Sequence, residues 1–249
     1  MIRSLVKNWL LARDAIVSRP PGQFSVWEIK LRKARDRGLR ITSALDGGAA
    51  NGGWTRQFKQ IYPEAPVLAV DPRDDVQADL QQLSRELAGV TVAQTLLGAD
   101  VGEVEFHESL DQSSMLPASD SPDGAGANSA RARKAPITTI DALVRSLSFP
   151  WPQLIKLDLQ GAEMIALRGA DEALRHADAL LLELSFIRLQ KGAPLAAEMI
   201  AFLQERSFRL YDIAGLWHRP LDGALAQGDF LFLRDGHPLL ADERWSNGS

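Results

Sequence analysis

Ile41-Thr42-Ser43-Ala44-Leu45-Asp46-Gly47-Gly48-Ala49-Ala50-Asn51-Gly52-Gly53-Trp54 joins a short apolar run to a glycine-rich turn and then to a helical pattern. Ile41–Asp46 predicts a strand, and the helix is expected to start near Trp54. The small residues between them let the backbone approach a ligand closely. The same order repeats downstream. Val67–Asp71 predicts a second strand, Asp74 to about Ala88 a helix, and Val90–Leu97 a third strand. Gly102, Val104 and Phe106 suggest a small hairpin. Leu154–Leu159, Ala179–Leu184, Arg209–Ile213 and Asp229–Leu233 predict further strands, and Glu163–Leu174 and Pro194–Glu205 predict helices. Short apolar strands alternating with helices predict an α/β fold whose sheet is mostly parallel and covered on both faces.

Upstream, a helix over about Val26 to Arg37 stops at Gly38, and Arg19-Pro20-Pro21-Gly22 breaks the chain before it. Ile2, Leu5, Val6, Trp9 and Leu10 recur at helical spacing, as in an amphipathic helix. Residues 1–38 are therefore expected to form an N-terminal helical cap, 39–236 the main domain and 237–249 a C-terminal tail. Residues 110–135 are rich in Ser, Asp, Pro, Gly, Ala and Asn. They are expected to form a flexible loop, either an insertion with no role or a lid over the site.

Composition narrows the function classes. Of 249 residues, 45% are hydrophobic and 24% charged, as in a folded domain with a sizeable core. A net charge of −4 argues against nucleic acid as the main partner. With no cysteine there is no thiol nucleophile, disulfide or Cys-ligated metal. Charged residues interrupt the N-terminal apolar positions, and no run approaches a membrane-spanning length, so the expected location is the cytoplasm.

In open α/β sheets ligands bind at the carboxyl ends of the strands. Those ends are Asp46, Asp71, Leu97, Asp158 and Glu183, four of them acids. The turn fits G-x-G-x-x-G poorly, because Ala49 or Ala50 occupies the third position. It fits acid-x-Gly-x-x-x-Gly better, through Asp46, Gly48 and Gly52. An acid there suits an ammonium group better than a pyrophosphate. Asp71, 25 residues after Asp46, stands where an acid accepts from ribose hydroxyls. A nicotinamide-dependent oxidoreductase is the first rival reading, and a non-catalytic binding module that kept the fold is the second.

Asp46–Thr55 resembles the first motif of S-adenosylmethionine-dependent methyltransferases of the FkbM type. Leu154-Ile155-Lys156-Leu157-Asp158-Leu159-Gln160-Gly161-Ala162-Glu163, followed by Leu167-Arg168-Gly169-Ala170, resembles that family's most characteristic block. Leu181–Leu184, Phe208–Asp212 and Gly228–Phe232 resemble its closing segments. The family differs where Gly47 and Asp71 stand, with an aliphatic residue and Glu as its usual choices. The resemblance implies a class I, Rossmann-like methyltransferase sheet of seven strands, the last antiparallel, and O-methylation of a hydroxyl on a small molecule, sugar or glycan. It implies S-adenosylmethionine near Asp46, Gly48, Ala50, Asn51, Gly52, Thr55, Asp71 and Leu97.

On the acceptor side, Asp158, Glu163 and Glu183 are the candidate catalytic residues. They would hold the acceptor, remove its proton, or bind a divalent cation such as Mg2+, with Asp158 and Glu183 as the candidate pair. Lys156 and Asp158 could also form a structural pair, and Glu163 could serve its helix N-terminus instead. Ser114, His107 and Trp217 are candidate substrate contacts. The histidines show no metal spacing. A homodimer is compatible with the sequence.

Overall fold

The computed structural model describes residues 24–108, 113–117, 131–242 and 244. The expected amphipathic helix near the N-terminus lies outside them. Among the described residues the main sheet has eight strands, in the order β1 (Phe24–Ser25), β10 (Phe208–His218), β11 (Leu225–Arg234), β9 (Ala179–Ser185), β8 (Leu154–Leu157), β2 (Ala44–Gly47), β3 (Val67–Val70) and β4 (Val90–Ala93). From β4 to β9 neighbours are parallel, and β11 runs antiparallel to both β9 and β10. Setting aside the two-residue β1, this is the expected seven-stranded sheet with its last strand antiparallel.

β2, β3 and β8 are buried at every position, because helices cover both faces. The period of two sorts their side chains. Leu45, Leu68 and Ile155 pack with α4 (Ile140–Ser146), α5 (Glu163–Arg168), α6 (Asp171–His176) and α7 (Ala196–Gln204). Ala44, Val67 and Ala69 pack on the other face with α1 (Trp27–Asp36), α2 (Gly53–Ile61) and α3 (Gln77–Glu86). The chain moves from β2 to β3 in one direction and places β8 on the other side of β2. That reversal opens a crevice at the carboxyl ends of these strands.

Several elements differ from the sequence reading. Val90–Leu97 is not one strand. β4 ends at Ala93, and β5 (Leu96–Leu97) joins a three-stranded sheet with β7 (Arg131–Thr138) and β6 (Gly102–Glu108). The break is held by Gln94, whose side-chain amide donates to Asp74. The far end of the expected 110–135 loop is strand. Arg131–Ala135 pairs antiparallel with β6, so its β structure comes from its partner and not from its own weak β propensity. Glu163–Leu174 is broken into α5 and α6 at Gly169, and Asp141 caps α6 by accepting from Glu172 N and Ala173 N. β10 and β11 run well beyond their predicted ends because each supplies the other's hydrogen bonds, with bulges along the way. His237, placed in the tail, caps α8 (Pro238–Ala241), and Leu239 is buried in the core. α1, placed in the cap, buries Leu31 and Ala34 against the same core. Among the described residues no helix is long and apolar enough to cross a membrane.

Candidate active site

Two clefts open at the carboxyl ends of the parallel strands, and they meet at Gly48 and Asp158. The first, of about 420 Å3, is lined by Gly48, Val70, Asp71, Leu96, Leu97 and Asp158 among others. The second, of about 730 Å3, is lined by Trp27, Trp54, Lys156, Asp158, Glu183, Trp217 and Asp229 among others, and also by Ala50 and Asn51.

The first cleft depends on backbone closeness. Gly48 has φ +72°, and a Cβ there would lie 1.9 Å from the carbonyl oxygen of Asp158. Only glycine lets the β2 turn pass so near the end of β8. Asp71 follows β3 directly, and its Oδ2 accepts from Ala50 N at 2.8 Å. Its Oδ1 accepts from the backbone N and Nε of Arg73 at 3.0 and 3.2 Å. A carboxylate has about four acceptor positions, so one remains for a ribose hydroxyl. Val70, Leu96, Leu97, Pro72 and Phe106 form an apolar slot beside it. These features fit an adenosine-containing cofactor: an apolar base site, an acid with a spare acceptor position, and a bare backbone at the junction.

Three of the expected cofactor residues act from behind the clefts. Asp46 is fully buried and lines neither cleft. Its Oδ1 lies 2.9 Å from Lys156 Nζ, and its Oδ2 accepts from Thr55 Oγ1 at 2.7 Å. Asp46 therefore does not face an ammonium group of a ligand, because Lys156 supplies that charge from inside the protein. Lys156 also donates to the carbonyls of Gly47 and Gly48 at 3.2 and 2.9 Å, fixing the turn. The expected alternative of a Lys156–Asp158 pair gives way to Lys156–Asp46. Burial opposes the charge on Lys156, but Asp46, Asp158 and Asp229 outweigh it and hold its pKa above the ordinary value. Thr55 is buried against Asp46, and Gly52 packs on Leu83 of α3.

On the acceptor side, Asp158 and Glu183 come together. The Gln160 side-chain amide donates to Asp158 Oδ1 at 2.8 Å and to Glu183 Oε2 at 3.3 Å, and Gln227 donates to the same Glu183 oxygen at 2.8 Å. Amide donors thus occupy one oxygen of each carboxylate expected to hold a divalent cation. Among the described residues no group of three or more His, Asp or Glu side chains is arranged to hold a metal. This donor set does not support Mg2+. Sequence reasoning missed Asp229, which stands opposite Glu183 in the β9–β11 ladder. It also missed Gln160, whose φ of +52° is strained for a residue with a side chain. Both lie in segments that resemble family motifs, but their role comes from strands that meet only in the fold.

The remaining candidates separate. Trp217 lines the second cleft. Ser114 lines the first, where its hydroxyl donates to Gln160 O at 2.9 Å. His107 lines neither; it pairs with Ser114 through the backbone, and its Nε2 lies 3.5 Å from Glu105. Glu163 is buried and lines neither cleft. It accepts from Leu159 N at 2.6 Å and Gly161 N at 3.3 Å, so it holds the turn after β8. Burial pushes its pKa up to about 7, against those N–H groups and with the help of Asp158. A carboxyl whose folded pKa lies above its unfolded value of 4.5 stabilises the fold at low pH and loses that advantage as pH rises to about 7. Glu163→Gln is expected to lose ~2 kcal/mol less stability than the parent between pH 5 and 8, read from urea midpoints. Parallel pH profiles would refute the assignment.

The model of the methyltransferase FkbM domain matches residues 46–210. The chain belongs to this family. Its fold is the α/β fold of class I methyltransferases, and S-adenosylmethionine is the cofactor of the methyltransferase family. Among solved structures, an FkbM methyltransferase from Methylobacillus flagellatus KT is 18% identical over 79% of this chain, with a TM-score of 0.49. The chain spans 46% of that protein's length. The magnesium protoporphyrin IX methyltransferase of Synechocystis PCC 6803, solved with bound S-adenosylmethionine, is 12% identical over 84% of this chain and 78% of its own, with a TM-score of 0.48. A precorrin-6y C5,15-methyltransferase from Geobacter metallireducens GS-15 is 9% identical over 87% of this chain and 93% of its own, at 0.45. No match is found among curated protein sequences.

Proposed function

We infer that this FkbM-family domain transfers a methyl group from S-adenosylmethionine to a hydroxyl of a small molecule, sugar or glycan. The observation that carries the reading is the junction. Gly48 and Asp158 line both clefts, so a cofactor in the first would meet an acceptor in the second at that point. When bound, S-adenosylmethionine supplies an activated methyl group on a sulfonium. The protein's part is to position the reactants and to accept the proton that leaves the hydroxyl. Asp71 and the Val70–Leu97 slot hold the nucleoside, and the Lys156–Asp46 pair keeps the turn in place. Asp158, Glu183 and Asp229 are the proton acceptors within reach. Burial, with the charge of Asp158, pushes Asp229 up to about 7, a value suited to a general base near neutral pH.

Calorimetric titration with S-adenosylmethionine and, separately, NADH tests the reading. Binding of the sulfonium compound alone is expected. Asp71→Ala should weaken it by about 10- to 100-fold, the worth of a hydrogen bond to a charged group. Unchanged affinity would remove Asp71 from the ribose site, and binding of neither compound would leave only a binding module with this fold.

A further inference from the structure

The second cleft carries chemistry that a hydroxyl acceptor does not by itself require. Asp158, Glu183 and Asp229 all line it, and Asp229 stands directly opposite Glu183. Like charges so placed destabilise a sheet. Among the described residues that line the cleft, Lys156 is the only cation, and its ammonium is paired with Asp46. Three indoles line the cleft, Trp27, Trp54 and Trp217; Trp54 stacks on Trp27 at 5.3 Å and on Phe58 at 5.0 Å between centroids, so it supports Trp27 from behind. Trp54 Nε1 is buried without a hydrogen-bond partner among the described residues. Gly215, which pairs with Asp229 across β10 and β11, lets two of these lining side chains come close. A Cβ there would lie 2.7 Å from Trp217 Cη2 and 2.8 Å from Asp229 Oδ2, so an indole edge and a carboxylate converge on one spot.

We propose that the acceptor carries a protonated amine, as an amino sugar does, and that Glu183, Asp229, Trp27 and Trp217 of the second cleft seat its ammonium group, which leaves Asp158 at the junction as the proton acceptor for the hydroxyl. This deepens the methyltransferase reading and rests on it. Indole faces attract organic cations, and three desolvated carboxylates share a single cation, Lys156, that is already paired with Asp46. A neutral sugar stacks on the same indoles but adds no further counter-charge. A phosphorylated acceptor is repelled. Burial and neighbouring carboxylates already push Glu183 well above the ordinary range, and a bound ammonium favours its ionised form.

The test uses the full chain saturated with S-adenosylhomocysteine and titrated near neutral pH with glucosamine, N-acetylglucosamine and glucose, read by tryptophan fluorescence and calorimetry. Glucosamine is expected to bind at least about tenfold tighter than either neutral sugar. The double variant Glu183→Gln, Asp229→Asn should lose that preference while still binding S-adenosylhomocysteine. Gly215→Ala, whose Cβ would displace Trp217 and Asp229, should weaken glucosamine without removing an acid. Equal binding of the three sugars, or no binding of glucosamine to a chain that binds S-adenosylhomocysteine, overturns the proposal and leaves the methyltransferase reading standing. Failure to bind S-adenosylhomocysteine sinks both.

Discussion

Lys156→Met is expected to cost about 3–5 kcal/mol of folding stability, the range for breaking a buried ion pair by removing one partner. Lys156 is 8% exposed and Asp46 fully buried, so water cannot replace the lost charge. Asp46 would keep only Thr55 Oγ1, and the carbonyls of Gly47 and Gly48 would lose their donor. The loss should appear as a lower urea midpoint with an unchanged slope. Adding Asp46→Asn should restore at least ~1 kcal/mol, because the second substitution removes the orphaned charge. If the two losses simply add, Lys156 and Asp46 do not stabilise the fold as a pair.

Gly48→Ala should damage the cofactor cleft directly. The new Cβ would meet the Asp158 carbonyl at 1.9 Å, and φ +72° is costly for any residue with a side chain. Left-handed strain and overpacking together predict a loss of about 2–4 kcal/mol. The turn can relieve the clash only by moving away from β8, which separates Gly48 from Asp158 where the clefts meet. Affinity for S-adenosylmethionine is expected to fall by at least about tenfold, measured by calorimetry below the variant's own Tm. A variant that keeps both stability and affinity would show that the close approach is not needed.

The alternation of apolar runs and helices was enough to read a mostly parallel α/β sheet, because each parallel strand is buried on both faces and shows it locally. Val67–Val70 and Leu154–Leu157 are apolar or nearly so at every position for that reason. The three-stranded sheet was harder to read. Arg131–Ala135 carries little β signal and becomes strand because β6 pairs with it. The broken helix after β8 was equally hidden, since the cap of α6 comes from Asp141 on α4.

The site divides along the same line. The glycine-rich turn, Asp71, Leu97, Asp158 and Glu183 were legible because they sit at strand ends, and strand ends follow from local pattern. The sequence by itself determined the fold class and which strand ends carry acids. Only the tertiary structure decided what each acid does. It buried Asp46 against Lys156, turned Glu163 onto its own turn, and brought Asp229 and Trp27 into the cleft that Glu183 lines. The physical reason is that a charge's role depends on what lies within a few ångströms of it, and those neighbours come from strands and helices far apart in the chain.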